Sequence, residues 1–115
     1  MPRIEGIPGS DRAYLLVDDL AGLAPILERG IHSQTVVDGD VHVVLFACAP
    51  GEQLSEHTAA RPAIVHVLSG RAHVTVAGDA FTAGPGTWFR MDARTTHSIR
   101  ATEPLVMLLY LLPAG

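Results

Sequence analysis

Glycine and proline cut most of this chain into short apolar segments, and from residue 31 onward no segment leaves room for a long helix. Asp38-Gly39-Asp40, Pro50-Gly51, Ser69-Gly70, Gly78-Asp79 and Gly84-Pro85-Gly86 all read as turns. Glycine supplies positive φ at no steric cost, proline fixes its own φ, and aspartate and serine bond back to the local backbone. The segments between them are rich in Val, Leu, Ile and Phe, which suit a pleated, half-buried surface. They predict strands over residues 31–37, 41–49, 63–68, 71–76, 80–83, 87–91, 98–101 and 105–112. Residues 71–76 alternate polar with small apolar side chains, as a strand with one wet face does. Residues 105–112 are apolar without a break, so both faces are expected to be covered, either within this domain or by a second subunit. Many short strands joined by turns imply an all-β barrel or sandwich.

The first thirty residues have a different texture. Gly6, Pro8 and Gly9 make residues 1–13 a loose arm. Leu20, Leu23, Ile26 and Leu27 recur at helical spacing, with Asp18 or Asp19 to cap the start and Gly30 to end it. Pro25 limits that helix to one or two turns. The expected organisation is an N-terminal arm and short helix or turn over 1–30, then a barrel over 31–115, together forming one domain. A chain of 115 residues supports a single core and needs no metal or disulfide staple.

Composition removes several functions. The net charge is −4, and the eight basic residues are scattered arginines, so no basic patch for nucleic acid is expected. Lysine is absent, which excludes Schiff-base chemistry and a phosphate-loop lysine. Cys48 is the one cysteine, so an internal disulfide is impossible and a reducing, cytoplasmic location is expected. The opening residues lack the apolar core of a signal peptide, and residues 105–112 are too few to span a bilayer, so no membrane association is expected. Cys48 lies on an apolar strand and reads as a small buried hydrophobe. No nucleophile-elbow spacing supports acyl transfer.

Two stretches then stand out. Pro50-Gly51, His57 and 63–70 (Ala63-Ile64-Val65-His66-Val67-Leu68-Ser69-Gly70) resemble the first sequence motif of the cupin superfamily. Gly78-Asp79, Gly84-Pro85-Gly86-Thr87, Met91 and His97-Ser98 resemble the second. The resemblance spans about residues 31–112 and implies a cupin-type double-stranded β-helix, that is, a jelly-roll barrel, of the small single-domain bacterial kind. It also implies where a metal would sit, since the family commonly holds one with three His and one Glu. His57 stands at the first of those positions and His97 at the last. Ala59 and Ala63 stand where the second His and the Glu belong, Asp92 and Arg94 where the second motif has proline and glycine, and Ala101 where it closes on Asn.

Two imidazoles alone hold a divalent ion weakly, because stable sites take three or four protein ligands. Glu56 is adjacent to His57 and faces the other way unless the strand bulges there. The resemblance puts His66 on the face opposite Val65 and Val67, while His73 reads as solvated and His32 as a candidate for the barrel mouth. The reading is therefore a stand-alone cupin that binds a small organic ligand in the barrel mouth near His57 and His97, with a degenerate divalent-metal site. The alternative is a metal-dependent cupin enzyme, of dioxygenase or isomerase type, using Fe, Mn, Ni or Zn. Arg61 and Arg94 flank the two histidines in sequence and are candidates to pair with an acidic group, and Trp88 and Met91 to line the pocket. The apolar tail and the arm lead to the expectation of a homodimer.

Overall fold

The computed structural model describes residues 4–5, 13–57 and 59–113, and for 4–5 and 55–57 it describes the backbone alone. Eleven strands run through them: β1 (Ile4–Glu5), β2 (Leu16–Val17), β3 (Ile31–Asp38), β4 (His42–Cys48), β5 (Gln53–His57), β6 (Ala63–Ser69), β7 (Ala72–Val76), β8 (Asp79–Ala83), β9 (Trp88–Met91), β10 (His97–Ala101) and β11 (Leu105–Leu111). β1 and β2 form a separate two-stranded ribbon. The remaining strands make a five-stranded sheet in the order β3-β4-β11-β6-β9 and a four-stranded sheet in the order β5-β10-β7-β8. Every pairing is antiparallel.

The two sheets close over one core. Val65, Val67, Met91, Leu105 and Met107 of the larger sheet meet Ala72, Val74, Ala83, Ile99 and Ala101 of the smaller one, all almost fully buried. Strand pleating accounts for this, since alternate residues of each strand point inward. Where β8 and β9 adjoin, Phe81 and Phe89 meet edge to face, with ring centres 5.4 Å apart.

A second cluster lies on the outer face of the larger sheet, where Val43, Leu45 and Leu108 pack with Leu20, Leu23, Ala24, Val36, Val37 and Tyr110. The unbroken apolar run of β11 follows from these two clusters. Met107, Leu109 and Leu111 serve the core, while Val106, Leu108 and Tyr110 serve the outer cluster. Part of the cover comes from the chain's own residues 20–24. A bulge between Thr35 and Val37 lets Val36 and Val37, neighbours in sequence, both join the outer cluster.

The expected short helix shrinks to one 3-10 turn, Ala21–Leu23, where Asp19 Oδ1 accepts the N–H of Gly22 at 3.1 Å. Pro25 pushes Ala24 into the extended region, with ψ 130, so the helical spacing is not continued. Ile26, placed by that spacing on the apolar face, is instead 97% exposed. Of the loose arm, residues 6–12 lie outside the described residues, and β1 lies within it. Among the described residues no helix is long and apolar enough to cross a membrane.

Candidate functional site

Of the described residues, His97 is the buried polar one, with 6% of its surface exposed. It opens β10, which runs between β5 and β7. In the ladder its Cα pairs with that of Val76 on one side and that of His57 on the other. The two motif histidines, forty residues apart in sequence, thus meet in register on neighbouring strands. Between that pair and the next, Leu54 with Ile99, the register slips by one residue on the β5 side. The strand therefore does bulge at 55–56, the condition on which Glu56 depended.

The His97 ring is held by its own approach loop. Nδ1 lies 3.0 Å from the carbonyl oxygen of Thr95. A carbonyl only accepts, so Nδ1 carries the proton, and in the neutral ring Nε2 carries the lone pair. An N–H···O=C bond of this kind commonly fixes the tautomer and orientation of functional histidines.

Behind the ring lies a small chamber of about 60 Å³, lined by His97 with Phe46, Leu54, Val65, Ile99, Met107 and Leu109. A second hollow, about 100 Å³, borders the same residue beside Thr75, Gly78, Thr96 and Ser98. A further hollow, about 210 Å³, lies between residues 21–27 and the far ends of β4 and β11. Cys48 is the titratable group in its lining, and burial first, then the Glu52 carboxylate, raises that thiol from 9.0 to about 11. A thiol so raised is protonated at neutral pH and inert as a nucleophile. We therefore place the candidate site at His97.

The other expected site residues divide. Met91 is buried and paired with Ala63, on the inner face. Trp88 is a correction, because it pairs with His66 on the outer side of the sheet and is 56% exposed. In β9 the inward positions are Phe89 and Met91, so Trp88 has the wrong phase to line the interior. Arg61 is engaged with the backbone. Its Nε donates to Leu112 O at 2.7 Å, and its Nη2 donates to Leu111 O at 3.1 Å and to Asp40 O. Its guanidinium thus ties the β5–β6 loop to the end of β11 and to the β3–β4 turn.

Arg94 is exposed, and its backbone N–H donates to Ala59 O at 2.7 Å, so the loops preceding β6 and β10 are joined at the mouth. His32 pairs with Ala47 at the opposite end of the larger sheet from the mouth. His42 is held by Asp38 at 3.3 Å, and His73 is exposed as expected. Among the described residues there is no group of three or more His, Cys, Asp or Glu placed to hold a metal ion. What sequence reading missed is the chamber lining, which comes from inward positions on five different strands.

Two antiparallel sheets folded over a shared core, with a histidine buried at one end, define a jelly-roll barrel of the cupin type. Residues 44–111, more than half of the chain, match the family model described as a cupin domain. The chain belongs to the cupin family. Among solved structures it is similar to a conserved protein of unknown function from Streptococcus pyogenes, at 26% identity and a TM-score of 0.77 over 92% of both chains. It is similar to a cupin superfamily protein from Desulfitobacterium hafniense, at 25% identity and a TM-score of 0.79, covering 96% of this chain and 98% of that one. A third similarity is to a cupin 2 conserved barrel domain protein from Leptotrichia buccalis, at 28% identity and a TM-score of 0.78, over 84% of this chain and 47% of that one. No curated protein matches the chain.

Proposed function

We propose that this cupin is a binding module, which takes a small organic ligand in the barrel mouth with His57 and His97 as its polar anchors. The observation that carries the reading is the position of His97, a buried imidazole with its tautomer fixed by Thr95 and an apolar chamber behind it. A concave, mostly apolar space with few, well-placed polar groups is the usual form of a small-molecule site. Arg94 is the cation we assign to any acidic group on the part of the ligand left outside, since the Arg61 guanidinium already serves three carbonyls. We further propose a homodimer in the cytoplasm, where one buried thiol and no partner for it suit a reducing environment.

A second reading, a metal-dependent cupin enzyme, is favoured by the same Thr95 contact, because metal-binding histidines commonly donate their other ring N–H to a carbonyl. Among the described residues no cluster of three His, Cys, Asp or Glu supports a closed site. We derive no reaction step through a metal.

One experiment separates the readings. Metal content is measured by plasma mass spectrometry on untagged protein, alongside a thermal-shift screen of small organic ligands against the wild type and His57→Ala/His97→Ala. The binding reading expects well under one equivalent of metal, and a ligand-induced rise in Tm that the double variant loses. Near one equivalent of Fe, Mn, Ni or Zn, abolished in the double variant, would establish the metal reading instead. A Tm rise equal in both proteins would remove the histidines from the site.

A further inference from the structure

The segment that roofs the outer layer of the larger sheet carries both a hole and a plug. The hollow of about 210 Å³ lies under residues 21–27, and small side chains keep it open, Ala21 and Ala24 from the roof, Ala47, Cys48 and Ser69 from the sheet. No charged residue lines it. At its rim stands Ile26, 97% exposed, because Pro25 holds Ala24 extended and turns the residues that follow off the helical path. One copy of the chain thus leaves an apolar hollow and a nearly bare aliphatic side chain in water, side by side, and removing both from water is favourable. An engineered cavity of about 150 Å³ already holds benzene, so this hollow admits the four carbons of an isoleucine side chain.

Because the plug lies beside its own hole, the surface is complementary to itself. A two-fold rotation that seats Ile26 in the hollow of a second copy seats that copy's Ile26 in return. The charges agree with the same operation. Glu28 and Arg29, just past the plug, are both exposed and opposite in sign, so Glu28 of each copy can face Arg29 of the partner subunit. We infer that a second copy of this chain docks here, its Ile26 filling the hollow under residues 21–27 and Glu28 and Arg29 pairing across the two-fold axis. The inference rests on the homodimer proposed above and assigns its contact surface.

The test is sedimentation velocity on the full chain over a concentration series at low salt, with circular dichroism to check the fold of each variant. Ile26→Asp should raise the dimer Kd at least about a hundredfold, since two plugs are lost at once. Ala21→Phe, which fills the hollow from its rim, should do the same and serves if the first variant does not fold. Glu28→Arg and Arg29→Glu should each weaken the dimer several-fold, and the two combined should restore it. Toluene should leave the Ala47 methyl resonance of the wild-type dimer unmoved, because the hollow is already full. A wild type that stays monomeric throughout would overturn both this inference and the dimer reading. A dimer indifferent to Ile26→Asp and Ala21→Phe, a double charge variant no tighter than its parents, or a saturable toluene shift at Ala47 in the wild-type dimer would overturn the inference alone.

Discussion

Arg94 holds a conformation that ordinarily belongs to glycine, with φ at +63. An L side chain is costly there because Cβ crowds the backbone. Its position coincides with the glycine of the second cupin motif, so the chain accepts strain at the mouth and gains an exposed guanidinium. Arg94→Gly should therefore raise stability by about 1 kcal/mol, read as a higher urea midpoint at constant slope. If Arg94 meets the ligand's acidic end, the same variant will bind an acidic ligand more weakly. Cys48 supports a different prediction at this scale. With a folded pKa raised from 9.0 to about 11, the native state keeps the thiol proton more tightly than the unfolded state. The sign is fixed by linkage: the contribution is fully present below pH 9 and is lost as pH rises toward 11, by up to about 3 kcal/mol. Urea unfolding at pH 8 and pH 10.5 should show this loss in the wild type and a smaller one in Cys48→Ala, and equal losses would refute it.

At the scale of elements, the turns are unequal although they look alike. Gly70 and Gly78 both have strongly positive φ, +83 and +87. A Cβ at Gly78 would meet nothing within 4 Å, whereas one at Gly70 would overlap the carbonyl of Pro104. Gly78→Ala should cost about 1 kcal/mol for its backbone alone, and Gly70→Ala about 3 kcal/mol or more, because the β6–β7 turn must also part from the chain entering β11. Thermal denaturation of the two variants checks the order. The strands from β6 onward were legible because each is bounded by residues with a physical reason to turn. β5 was not, since Gln53, Ser55, Glu56 and His57 leave Leu54 as the one apolar residue, and a bulge breaks its alternation. The phase of β9 was equally hidden. Four residues carry too little pattern, and its pairing with β6 is what turns Trp88 outward. Of the candidate site, His57 and His97 stand out by motif position and the ladder pairs them in register, while the Arg61 contacts join residues 50 and 51 positions apart and leave no local trace.

For the whole molecule, the two clusters make the larger sheet a wall between two apolar layers. The inner layer is sealed by the smaller sheet, while the outer layer is roofed by short irregular segments near residues 20–24. That roof leaves Ile26 97% exposed and Tyr14 57% exposed, apolar surface of the kind that marks an association site when it is contiguous. We expect the mass of a dimer in light scattering at micromolar concentration, and a monomer's mass there would contradict the proposed assembly. The bulge in β5 has a consequence of another sort. Most strands of a barrel cannot lose a residue, because everything beyond the gap would swap inside for outside. Between Leu54 and His57 the chain spends one residue more than its neighbour β10 does. A single-codon deletion at that place would restore an even count and leave both Leu54 and His57 opposite their present partners. The edge of the mouth is thus a point where related genes can differ in length without losing the frame of the fold.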